Sequence, residues 1–278
     1  MWRMALKYDV IIPVYNGVQK LERTIQSLLQ QSSIASGQDS FSCLIVDGAS
    51  TDGTIDLARS FQDPRIHVIS EPDSGMYHAL TKGLKRAQGD VCCYLPAGEF
   101  FEPSAFSTVS EIFTTHRDVH WLTGMNVLRN EKLQTINVFT PPAFKRKFFT
   151  KGLYGTRLHV VQQESTFWRT TLNELIDLER LAACRLAGDF FLWKCFAKQH
   201  ELHVVSSILS GFTSEEGQLS GQIPGGYRKE LKSLRDRPSV FEEIHAMVLR
   251  EVYKHKRFDP RKSGAFYYDL DRKRWARG

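Results

Sequence analysis

The sequence predicts an α/β fold, a mixed, mostly parallel central sheet flanked by helices. Strand-like and helix-like segments alternate through the first hundred residues. The strand-like ones are short, continuous apolar runs, the pattern of strands covered on both faces. A chain of 278 residues with 42% hydrophobic and 24% charged composition can also fill one large core, or one core with an appendage.

The first strand is Tyr8-Asp9-Val10-Ile11-Ile12-Pro13-Val14, rich in β-branched residues and closed by Tyr15-Asn16-Gly17. Leu21, Ile25, Leu28 and Leu29 then share one face of a helix over about 18–31. Phe41 to Val46 forms the second strand, ending at Asp47, with the turn-rich Gly48-Ala49-Ser50-Thr51-Asp52-Gly53 behind it. A short helix over about 54–62 and a strand over 66–69 follow. Ser74 can cap a helix over about 75–88, which Gly89-Asp90 ends. Val91 to Leu95 is the fourth strand. This β-α-β-α-β-α-β order predicts parallel pairing, with ligands at the carboxyl ends of the strands.

Beyond Glu102-Pro103 the pattern is mixed. A helix over about 104–115 precedes apolar segments near 119–128 and 134–139, which read as added strands. Residues 141–158 are basic and aromatic and read as a long surface loop. With Phe148, Phe149 and Tyr154 set among Lys145, Arg146, Lys147 and Lys151, that loop is either a mobile lid or a solvated loop with a hydrophobic anchor. Gln162–Trp168 looks extended, and 189–197 looks like a buried helix. Phe241, Ile244, Met247, Val248 and Val252 stand at helical spacing near the end of the chain.

The charge of +6 is unevenly placed. Residues 226–278 hold 15 Lys/Arg against 8 Asp/Glu, and residues 1–225 hold 22 against 23. A body-wide nucleic-acid surface is therefore not expected. No run reaches the roughly 18–20 apolar residues of a membrane span. Met1–Lys7 lacks the apolar stretch of a secretory signal. Five scattered cysteines without metal-ligand spacing fit a reducing, cytoplasmic setting better than a disulfide framework. The organisation expected is a body over 1–225, dividing near residue 103 into an alternating part over about 8–103 and a mixed part over about 104–225, and a basic helical extension over 226–278.

Tyr15-Asn16, Asp47, Glu71-Pro72-Asp73 and Pro96-Ala97-Gly98-Glu99 fall along one edge of such a sheet. Carboxylates gathered there repel each other unless they bind donors or a cation. A uracil ring, a ribose and a metal-held diphosphate would supply both. The plainer alternative is that each acid caps the helix that follows it.

Three segments now bring a resemblance. Ile12-Pro13-Val14-Tyr15-Asn16, Val46-Asp47-Gly48-Ala49-Ser50-Thr51-Asp52-Gly53-Thr54 and Asp73-Ser74-Gly75-Met76-Tyr77-His78-Ala79-Leu80-Thr81-Lys82-Gly83 resemble the family 2 glycosyltransferases in order and spacing. A weaker echo covers Gln162–Trp168 and Gly188–Trp193. The resemblance implies a GT-A (Rossmann-like) fold, a nucleotide-sugar donor that is most simply a UDP-sugar, and inverting, non-processive transfer to an acceptor hydroxyl. Pro13, Tyr15 and Asn16 would then line the nucleotide pocket. Asp47 would meet the base or ribose, and Asp73 and Gly75 would border the uridine. Lys82 would either contact the donor or pin its helix, and Asp52 would organise its own loop.

The fourth strand departs from the family pattern. The family ends it with an acidic Asn/Ser-x-Asp-Asp or Asn-x-Gly-Asp segment that meets the metal. Here Pro96-Ala97-Gly98-Glu99 stands instead, without a DxD motif. Glu99 takes the metal position and is chemically able to hold Mg²⁺ or Mn²⁺ through oxygen. Asp189, in Gly188-Asp189-Phe190-Phe191-Leu192-Trp193, matches the family's base, and its apolar neighbours would raise its pKa. Glu164 is the reserve candidate for the base; otherwise it and Gln163 would bind sugar hydroxyls.

The expected partners are a nucleotide-sugar donor and a glycan or lipid-linked acceptor, in surface polysaccharide biosynthesis. The basic tail offers either peripheral contact with anionic lipid at the inner face of the membrane, or packing against the body or a second subunit. Two other readings stand beside the enzyme. One is a catalytically silent nucleotide-sugar-binding relative; the other, resting on the tail alone, is a nucleic-acid-binding protein.

Overall fold

Seven of the eight residues of β1 (Lys7–Val14) are buried, as a strand covered on both faces requires. The structure is a computed structural model that describes residues 4–215, 223–255 and 259–278. After β1 comes α1 (Val18–Leu29), which buries Leu21, Ile25 and Leu28 at helical spacing and turns its other face to solvent. The short α2 (Ser32–Ala35), β2 (Ser40–Asp47), α3 (Thr54–Ser60) and β3 (Ile66–Ser70) follow. Then come α4 (Met76–Leu84), β4 (Val91–Tyr94) and α5 (Ala105–Thr115).

The chain then adds β5 (Trp121–Thr123), β6 (Asn126–Arg129), β7 (Thr135–Phe139), α6 (Arg146–Thr150) and β8 (Thr166–Arg169). It continues through α7 (Leu178–Ala182), α8 (Gly188–Ala197), β9 (Leu202–Val204) and β10 (Phe212–Thr213). The main sheet has the order β3-β2-β1-β4-β8-β5-β9, and only β8 runs against its neighbours. Strand order reverses between β1 and β4, so the carboxyl ends of those strands flank the crevice where such sheets bind ligands. β10, β6 and β7 make a second, three-stranded sheet.

The loop expected over 141–158 differs from the prediction. It contains α6, and Phe148, Phe149, Leu153 and Tyr154 are all buried. Phe149 packs on Trp121, which in turn stacks on Trp193 with centroids 5.7 Å apart. Charged neighbours made the segment look solvated, but Phe148, Phe149, Leu153 and Tyr154 anchor it in the core. His159 is buried among Phe139, Phe144 and Tyr154, and burial pushes its imidazole down to about 4.

At the other end, α9 (Gly226–Leu234) and α10 (Val240–His255) are helical as expected, but β11 (Phe266–Asp269) and β12 (Arg274–Arg277) form an antiparallel ribbon. Asp269 Oδ1 accepts the N–H groups of Asp271 and Arg272, turning the chain back before a third helix can start. The ribbon is pinned to the body: Phe266 is fully buried, Ser206 donates to its carbonyl, and Arg277 pairs with Asp118 at 2.7 Å. Lys256, Arg257 and Phe258 of the basic tail lie outside the described residues.

Candidate active site

The first three strands end on a loop system held by its own polar side chains. Asn16 sits at φ 48°, a left-handed position asparagine tolerates, and its Oδ1 accepts from Thr51 N at 3.0 Å. Asp52 accepts from Val18 N and from Thr54, so it organises its loop as expected. Asp47 is fully buried; its Oδ2 accepts from Ser50 N at 2.9 Å and Ser70 Oγ at 2.7 Å. Its Oδ1 has no hydrogen-bond partner among the described residues.

Gly48 explains how Asp73 reaches the same place. A Cβ there would stand 2.9 Å from Asp73 Oδ2 and 3.3 Å from the Tyr15 ring, so only glycine lets the three meet. Asp73 Oδ1 accepts from Gly75 N at 2.8 Å. Gly75, at φ 135°, is the N-cap of α4; Ser74 instead bonds His78, so the expected Ser74 cap is replaced by Asp73 closing the turn. Tyr15, Asn16, Asp47, Asp73 and Gly75 thus share one edge. Pro13 is buried inside β1 opposite Val46. Lys82 is turned away: its Nζ meets Glu71 at 3.0 Å and the Pro72 carbonyl at 3.2 Å, which pins α4 to the loop after β3.

Glu99 is committed to protein partners. Its two carboxylate oxygens accept from Thr213 N at 3.0 and 3.2 Å and from Thr213 Oγ1 at 2.9 Å, which ties the end of β4 to β10. Burial raises its pKa, against the pull of those bonds and of Arg23 and Arg129. Among the described residues no three His, Cys, Asp or Glu side chains are grouped to hold a metal ion. A buried carboxyl whose two oxygens already accept from Thr213, with no second acid grouped beside it for a metal among the described residues, does not fit the Mg²⁺ or Mn²⁺ expected there. Glu164 is also buried, and both desolvation and the neighbouring Glu99 raise its pKa. Beside it, Gln163 accepts from the hydroxyl of Tyr94 at the end of β4.

Glu164 Oε1, like Asp189 Oδ1, is buried without a partner among the described residues, so both acids differ from Glu99. Asp189 lies in the first turn of α8, where the helix dipole favours its anion, yet burial pushes its pKa up to about 7. Tyr227 donates to Oδ2 at 3.1 Å, and Oδ1 has no partner among the described residues. Gly188 brings α8 against Tyr77 of α4, because any side chain there would strike the Tyr77 ring. The starts of α4 and α8 therefore meet. Thr213 and Tyr227 carried no motif in the sequence and were missed; both lie far from the acids they hold.

A mostly parallel sheet, polar loops along its carboxyl edge and a half-free buried carboxylate are the architecture of a GT-A glycosyltransferase. The family model Glycosyl transferase family 2 matches residues 9–174, more than half of the chain, which therefore belongs to that family. TuaG of Bacillus subtilis (strain 168), assigned to teichuronic acid biosynthesis as a glycosyltransferase, is 31% identical over 126 residues, 44% of this chain and 48% of TuaG. The chain thus spans about half the length of that curated relative. The S. aureus TarS 1–349 structure in complex with UDP-GlcNAc superposes with a TM-score of 0.59 at 15% identity, covering 90% of this chain and 74% of TarS 1–349. The mannosyltransferase PcManGT from Pyrobaculum calidifontis, in complex with GDP-Man and Mn²⁺, gives 0.58 at 17%, covering 90% and 70%.

Proposed function

We propose that this chain transfers a sugar from a nucleotide-diphosphate sugar, most simply a UDP-sugar, to a hydroxyl of a glycan or lipid-linked acceptor, with inversion, in surface polysaccharide biosynthesis. The observation that carries this reading is the buried Asp189 carboxyl, held at one oxygen by Tyr227 and without a partner at the other among the described residues. As the acceptor oxygen attacks the anomeric carbon, Oδ1 takes its proton, while the nucleotide diphosphate leaves from the opposite face. A pKa near 7 leaves Asp189 basic enough to accept that proton and ionised in a useful fraction at neutral pH. Asp47, Asp73, Tyr15, Asn16 and Gly75 bind the donor, and Asp47 Oδ1 is the free acceptor for a base N–H or ribose hydroxyl. The UDP-GlcNAc complex of TarS supports a uridine donor.

A thermal-shift panel of UDP-, GDP- and dTDP-sugars, with and without Mn²⁺, tests this reading by mass action on the folded state. A UDP-sugar raises the melting temperature, by the same amount in EDTA as in Mn²⁺. No shift with any nucleotide or nucleotide sugar would overturn the donor assignment. Binding without turnover would favour the silent relative, the reading that the closed Glu99–Thr213 contact supports.

The reading extends to an anionic lipid surface. On α10, Val240, Phe241, Ile244, Met247, Val248 and Val252 are exposed as one stripe, with Phe241 85% exposed. Arg237, Arg250 and Lys147 are exposed cations around the same helix and its neighbour α6, and charge of that sign favours anionic headgroups over a neutral surface. The account expects cosedimentation with phosphatidylglycerol vesicles but not phosphatidylcholine ones, lost in F241E/V248E. A wild-type dimer that F241E/V248E dissolves, without vesicle binding, would assign the stripe to a second copy.

A further inference from the structure

We infer that Tyr227 and Glu230, both on α9, are positioning residues that fix the orientation of the Asp189 carboxyl and hold it between two opposing influences. The inference rests on the reading of Asp189 as the base, and concerns residues outside the 9–174 match to the family model.

The geometry begins with the helical period. Tyr227, Glu230, Leu231 and Leu234 stand on one face of α9, and Leu231 and Leu234 are buried. That packing presents Tyr227 and Glu230 to the start of α8. Glu230 accepts three consecutive backbone N–H groups: Arg185 at 2.7 Å, Leu186 at 2.6 Å and Ala187 at 3.0 Å. These residues lead directly into Gly188 and Asp189, so the carboxylate of Glu230 fixes the entry to α8. Lys194 closes the pair from the other side, donating to the Leu234 carbonyl at 2.8 Å and Asp236 at 2.7 Å. Gly155 clears space for the Tyr227 ring, since a Cβ there would stand 3.3 Å from it.

The two residues act on Asp189 with opposite sign. The Tyr227 hydroxyl donates to Oδ2 and favours the carboxylate; the negative Glu230 disfavours it. Burial keeps Tyr227 protonated, because its own pKa is raised well above the ordinary tyrosine value. The other titratable groups that act on Asp189 are Tyr77 from α4, Tyr94 from β4, Glu164 from the turn before β8 and Cys184 from the loop after α7. The backbone at Phe190 and Asp189 also favours the carboxylate, but Tyr227 is the side chain that donates to it, at Oδ2.

Carbon-13 NMR titration of the Asp189 carboxyl, in the full chain, reads this without turnover. Tyr227→Phe removes the donor and raises the Asp189 pKa by about one pH unit, a typical strength for a hydrogen bond to a charged group. Glu230→Gln removes the negative charge and lowers it. Hydrolysis of the nucleotide sugar selected by the thermal-shift panel, followed against pH, should move its acid limb in the same opposite directions, which loss of packing alone would not do. Should Glu230→Gln fail to fold, Tyr227→Phe decides alone. An Asp189 pKa unmoved in folded Tyr227→Phe overturns the inference. If instead the pKa moves while Asp189→Asn retains full hydrolysis, the positioning stands and the base assignment fails.

Discussion

Glu99 and Asp189 are buried acids, each pushed by burial up to about 7, yet their oxygens are used differently. Thr213 engages both oxygens of Glu99, and so joins the end of β4 to the small sheet. Tyr227 engages only one oxygen of Asp189 and leaves the other open. A buried polar group that is fully bonded contributes to stability, whereas one left half-bonded is either a cost or a tool. The contrast sets Glu99 apart as a structural carboxyl and leaves Asp189 and Glu164, each with one unpartnered oxygen, as the two candidates for the base.

The largest effect expected from breaking this contrast is on turnover. Asp189→Asn keeps the shape and removes the base, so hydrolysis of the nucleotide sugar that the thermal-shift panel selects should fall about 10²–10⁴-fold with donor binding unchanged. Glu99→Gln should do the reverse. It disturbs the bonds to Thr213 at a cost of about 1–3 kcal/mol of stability, read as a lower melting temperature, with much the smaller loss of activity. A Glu99→Gln variant that keeps its stability but loses all turnover would restore Glu99 as a catalytic or metal-binding group.

How much of this was legible in the sequence follows from range. The first four strands and the helices between them could be read because their apolar periodicity is local, and the acids at their ends fall there by topology. Asp189 was visible as an acid opening an apolar helix. Its state was not, because Tyr227 approaches from a helix 38 residues further on, and Thr213 reaches Glu99 across 114. The segment around α6 was misread because Lys145, Arg146, Lys147 and Lys151 masked the burial of Phe148 and Phe149. Lysine and arginine stems lie readily along apolar surface, so charge alone is a poor sign of a solvated loop.

Two further substitutions sharpen the picture at the nucleotide edge. Asp47→Asn replaces the free oxygen with a donor and should weaken UDP binding, measured by calorimetry, about tenfold. Lys82→Ala touches only the loop after β3 and should leave donor binding within about twofold, since partly exposed ion pairs contribute little.

The buried acids also predict a stability profile. Their folded pKa values lie above their unfolded ones, so their contribution is fully present below the ordinary carboxyl range. It is lost as pH rises through neutrality, because ionising a buried carboxyl is unfavourable. The melting temperature should therefore decline between about pH 5 and pH 8, and the decline should flatten in Glu164→Gln.

The most direct test of the central claim is the pH dependence of kcat/KM for hydrolysis of the nucleotide sugar selected by the thermal-shift panel, in the unmodified chain, Glu164→Gln and Asp189→Asn. The account predicts an acid limb centred near pH 7 that survives in Glu164→Gln and is absent from the residual activity of Asp189→Asn. A limb that disappears in Glu164→Gln and persists in Asp189→Asn would contradict it and make Glu164 the base.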